Sequence, residues 1–136
     1  MKKLLFSLVL MSLLVFFAGG SVKAQDRVTA DIPFAFTVMN KVLPAGSYAL
    51  GQYGPLPLLL IQESTSRKAA CTLTTVVDND PFKEFEPKLV FRRYGEQYFL
   101  GQIWTGHVGR QVHKSNEELK VAKGGPEPRL IHVAAK

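Results

Sequence analysis

The chain has 136 residues, a formal net charge of +6, 46% hydrophobic and 21% charged residues, and one cysteine. That length suits one domain, able to bury roughly 60–70% of its unfolded surface, so it can fold without staples. One cysteine excludes an internal disulfide, and the lack of a polybasic run argues against nucleic acid as a partner.

The first element in chain order is a targeting segment. Met1-Lys2-Lys3 is a basic start, Leu4 to Gly20 is an apolar run ending in small residues, and Val22 and Ala24 stand at the −3 and −1 places of a cleavage site. We therefore expect residues 1–24 to be a secretory signal peptide, cut between Ala24 and Gln25, and residues 25–136 to be a single β domain. A retained anchor is disfavoured, because the run is near the lower limit for a span and no basic stop-transfer flank follows it. A lipoprotein anchor is disfavoured because no cysteine lies near the cut. The expected location is periplasmic or extracellular, with no integral membrane segment after cleavage. Lys2, Lys3 and Lys23 leave with the signal and no acid does, so the net charge falls from +6 to +3. The mild positive charge that remains favours an anionic envelope component as partner.

Period-two alternation dominates the rest. In the stretch from Arg27 to Val38, the residues Val28, Ala30, Ile32, Phe34, Phe36 and Val38 fall on one face, which predicts a half-buried strand. Pro33 cannot donate to a ladder and marks an edge or a bulge there. Turns at Met39-Asn40-Lys41 and at Pro44-Ala45-Gly46 lead into a strand from Tyr48 to Tyr53. A turn over Gly54 to Pro57 leads to a buried strand from Leu58 to Glu63. Beyond the polar turn Ser64 to Arg67, the alternation from Lys68 to Val77 puts Cys71 in register with Ala69, Leu73 and Val77, which reads as a buried, inert thiol.

After a long loop, Asp78 to Pro87, comes a hairpin from Lys88 to Trp104. Gly95-Glu96 fits a two-residue type II′ turn, which sets Tyr94 opposite Gln97, Arg93 opposite Tyr98, Arg92 opposite Phe99 and Phe91 opposite Leu100. Ser115 followed by Glu118 is a capping-box signature, and Gly124-Gly125-Pro126 is a stop, so one short helix is expected over Asn116 to Lys123. A last strand is expected at Arg129 to Val133. The sum is a mainly β fold, a small antiparallel sandwich or barrel of about six or seven strands with one short C-terminal helix.

The order of the stretches Val28 to Leu50 and Lys88 to Trp104, closed by a capped helix, resembles a family of small exported bacterial β-proteins of unknown function. Its marks are a P-F-x-F strand, an L-P-A-G-x-Y turn and a Y-G-x-x-Y-F-L hairpin. The resemblance spans most of the expected mature chain and implies export and a β fold, with no activity attached. Met39 departs from it, because the pattern has glycine at that place.

Chemistry is sparse. His107, His113 and His132 lack the spacing that places two ligands on one element facing an ion. The acids Asp78, Asp80, Glu84 and Glu86 lack the glycine and spacing of a calcium loop. No nucleophile elbow or Cys/His signature is present, and Ser115 beside His113 reads as the helix cap. The glycines of the stretch Thr105 to Arg110 follow no phosphate-binding pattern, and the short strands lack the aromatic girdles of an outer-membrane barrel.

The hairpin remains. Arg92 and Arg93 point to opposite faces, so one of them, Arg93, can join Tyr98 and Trp104 in a ligand site for an anionic or sugar-like molecule, its guanidinium stacked on a ring. The competing reading puts the aromatic residues in the core, with Trp104 sharing a buried face with Leu89, Phe91, Tyr98, Leu100 and Gln102. The expected function is a non-enzymatic exported domain with a binding or envelope structural role and no cofactor or metal. The alternative is a metal-dependent module or enzyme using the His107/His113 loop region.

Overall fold

The computed structural model describes residues 27–136. The expected signal peptide and its cleavage site lie outside them. The strand β1 (Arg27–Ile32) buries Val28, Ala30 and Ile32 in strict alternation. The ladder stops at Pro33, which has no N–H to give, and the chain resumes as β2 (Phe36–Val38). Met39 takes a left-handed φ of 56° in the tight turn to β3 (Lys41–Leu43). There follow β4 (Gly46–Gln52), β5 (Leu58–Glu63), β6 (Ala69–Asp78), β7 (Lys88–Tyr94), β8 (Gln97–Trp104), β9 (Gly109–Val112), α1 (Asn116–Lys123) and β10 (Arg129–Ala134).

The strands form a closed ring. Antiparallel pairing runs from β1 through β4, β5, β6, β9, β8 and β7 to β10. Beyond β10 the chain returns to β1, where Thr29 N–H donates to Lys136 O and Lys136 N–H donates to Thr29 O, both at 2.9 Å. Closure leaves the eight ring strands without an edge, and a ring of that size has an interior just wide enough for side chains to fill. Tyr48, Leu50, Leu59, Ile61, Leu89, Phe91, Leu100 and Ile103 fill it. The β2–β3 hairpin hangs from β8 by a parallel pairing, Thr37 to Phe99, so the sheet is mixed.

The two ends of the barrel differ. At one end, here the hairpin end, the chain crosses from β1 to β2 and sets Phe36 edge-on to Tyr48 (5.0 Å) and to Phe91 (5.4 Å). Phe34 meets Phe91 at 5.0 Å and stacks on Tyr98 at 3.9 Å. The Gly95-Glu96 turn and the start of β10 lie at this end. The loops that join β4 to β5, β6 to β7 and β8 to β9 lie at the other, with Arg27 and Lys136.

Several expectations are corrected. Among the described residues there are ten short strands rather than six or seven, because Pro33 splits the first, the residues after the Met39 turn pair as β3, and the glycine-bearing stretch after Trp104 forms β9. Cys71 is exposed, together with Leu73, while Thr72 and Thr74 are buried. The cause is the register set by β5: Leu59 opposite Thr72 and Ile61 opposite Ala70 give β6 the reverse parity to the one its own alternation suggests. Thr74 satisfies its inward hydroxyl by donating to Pro57 O at 3.3 Å.

Trp104 also changes face. The hairpin pairs as expected from Tyr94 opposite Gln97 to Phe91 opposite Leu100, with Gly95 at φ 61° and no positive φ at Glu96. The register then shifts between Val90 and Phe91, leaving Gly101 as the extra residue of a bulge, and Val90 faces Gln102. Trp104 is therefore opposite Lys88 on the outer wall, half-buried, and not with Leu89 and Phe91 in the core.

Candidate functional site

Helix α1 is fastened to the outer wall of the hairpin. Ser115 Oγ accepts from Glu118 N–H at 3.2 Å, the N-cap read from the sequence. The Glu118 carboxylate, 2% exposed, does not turn back to complete a capping box. It accepts from Arg92 Nε and, at 2.9 Å, from Arg92 Nη2, and from the Tyr94 hydroxyl at 3.0 Å. Arg92 Nη2 also donates to Val112 O at 3.3 Å. Gly101 makes room for the guanidinium, since a Cβ there would lie 2.9 Å from Arg92 Nη1. Burial, then the bond to Glu118 and that residue's charge, raise the Tyr94 phenol above its ordinary pKa, and Arg92 opposes the shift.

This clamp sets the end of α1 beside the hairpin turn and the start of β10, and a cleft of about 620 Å³ opens between them, lined by Arg93, Gly95, Gly124, Pro126, Glu127 and Arg129. Arg93 and Arg129 are direct cross-strand partners. Antiparallel partners project to the same side, so two cations stand together at the cleft, an arrangement that is destabilising unless something offsets it. Among the described residues Arg129 makes no ion pair. Arg93 meets only Glu96, at 3.9 Å with that carboxylate 96% exposed, a contact worth about 0–1 kcal/mol. The C-terminus of α1 brings roughly half an elementary charge, well short of two cations. Arg93 is pre-set: its Nε donates to Gly95 O at 2.7 Å, and its guanidinium lies 5.3 Å from the Tyr98 ring centre.

Of the three expected ligand-site residues, Arg93 and Tyr98 thus come together. Trp104 does not join them. It lies at the far end of β8, against Phe85 at 5.0 Å, under Lys88 Nζ at 5.8 Å, and over Gly109, where a Cβ would come within 2.4 Å of the indole. Arg129 and Glu127 were missed, since only the long-range pairing of β10 with β7 brings them to the site.

His107 and His113 stand at opposite ends of β9, the second with Nε2 at 2.7 Å from Thr75 Oγ1. Among the described residues no group of three or more His, Cys, Asp or Glu is placed to hold a metal ion. Lys83 reaches Asp78 and Asp80 at 3.7 and 3.8 Å. Compared with protein-family models, curated proteins and solved structures, the chain matches none.

Proposed function

We propose that the protein is an exported, non-enzymatic β-barrel domain that acts by binding an anionic component of the cell envelope in the cleft at its hairpin end. The observation that carries this reading is the Arg93–Arg129 pair on one side of adjoining strands, facing open volume; among the described residues Glu127, in the lining of the same cleft, makes no ion pair with either arginine, and Glu96 meets Arg93 only at 3.9 Å. Two guanidinium forks side by side suit a phosphate or carboxylate group, which can accept from both. Tyr98 holds Arg93 over a ring, and Gly95 and Gly124 keep the cleft free of side chains at its rim.

Calorimetric titration with inorganic phosphate and with a glucuronic acid oligosaccharide tests it. Binding of at least one probe is expected, with loss of affinity of about tenfold or more in Arg93→Gln and in Arg129→Gln. Equal binding by the wild type and both variants, or none to either probe, contradicts it.

A further inference from the structure

The cleft at the hairpin end is polarised. Its strand side carries Arg93 and Arg129, whose guanidinium groups only donate, with Arg93 held in place by its bond to Gly95 O at 2.7 Å. The facing side is built from Val121, Gly124 and Gly125 at the C-terminal end of α1 and from Glu127 in the loop that follows. A helix ends in carbonyls without partners inside the helix and in the negative pole of its dipole, and a carboxylate only accepts. Donors therefore stand on one side and acceptors on the other.

Size and charge narrow the occupant. A cleft of about 620 Å³ suits an organic ligand, and a lone phosphate would leave most of it to water. The charged side chains of the lining, two arginines and Glu127, sum to +1, which favours a monoanion over a doubly charged phosphate or a zwitterion.

We infer that the cleft takes an acidic sugar, a uronic acid unit whose carboxylate accepts from Arg93 and Arg129 while ring hydroxyls donate to Glu127 and to the carbonyl end of α1. This rests on the anion reading above and selects within it. Val121 and Pro126 offer an apolar surface to the C–H face of the ring. Glu127 sets the specificity: it repels a bare anion and serves as an acceptor for a hydroxylated one.

Calorimetric titration of residues 25–136, which contain the whole closed ring, tests this with a glucuronic acid oligosaccharide, a glucose oligosaccharide of the same length and inorganic phosphate. The acidic oligosaccharide should bind about tenfold or more tighter than either other probe. Glu127→Ala, a change in an exposed loop that leaves the fold intact, should weaken the acidic oligosaccharide about tenfold and strengthen phosphate. Phosphate bound as tightly as the acidic oligosaccharide would overturn the inference and leave the anion reading standing. So would tighter binding of both anions by Glu127→Ala, which would make Glu127 a repelling charge only. Equal binding of the glucose oligosaccharide, or no binding of any probe, overturns both readings.

Discussion

Tyr94 shows how one side chain ties local chemistry to stability. Its hydroxyl donates to Glu118 in a buried setting, and burial comes first among the causes that raise its pKa above the ordinary 10. The neutral phenol is therefore favoured by folding. Its contribution is fully present below the unfolded value of about 10 and is lost as pH rises through the higher folded value. Tyr48, raised by burial and by the nearby Glu63, acts in the same sense. Spectrophotometric titration of the native protein should show Tyr48 and Tyr94 ionising late, and Tyr94→Phe should remove one of these steps and flatten part of the alkaline loss of stability. Ionisation of Tyr94 at the ordinary value of about 10 would contradict the burial of this hydroxyl. None of this is legible in the sequence, where Tyr94 reads as one more strand aromatic.

Among the elements, α1 was readable to its termini because its signals are local: Ser115 before it, acids in its first turn, and Gly124 after it. What the helix is for was not readable, since Arg92 lies 26 residues from Glu118. The strands divide in the same way. The bounds of β5 and the turn pairs of the hairpin follow from local patterns, whereas the inward face of β6 and the position of Trp104 depend on a neighbour's register and on a bulge at Gly101. The clamp makes a direct prediction. Glu118→Ala strands the Arg92 guanidinium in a buried place and should cost about 3–5 kcal/mol, measured by urea denaturation. Replacing both partners, Arg92→Met with Glu118→Leu, should cost less than the single change, because no buried charge is left alone. A loss under about 1 kcal/mol for Glu118→Ala would mean that the helix is held by something else.

At the scale of the whole molecule, the ring is completed by contacts between the first and last described strands, and no local pattern could announce it. The choice between sandwich and barrel turns on Thr29 meeting Lys136. Closure leaves the interior filled and moves any binding to the ends, at one of which the chain has set two arginines. The most direct test of binding at the hairpin end is a two-dimensional amide NMR titration of residues 25–136 with the anionic probe that binds best. Shifts confined to Gly95, Gly124, Gly125, Arg93 and Arg129, absent from Arg129→Gln, are the predicted result. Shifts centred elsewhere on the barrel, or a spectrum unmoved at saturating probe, would contradict it.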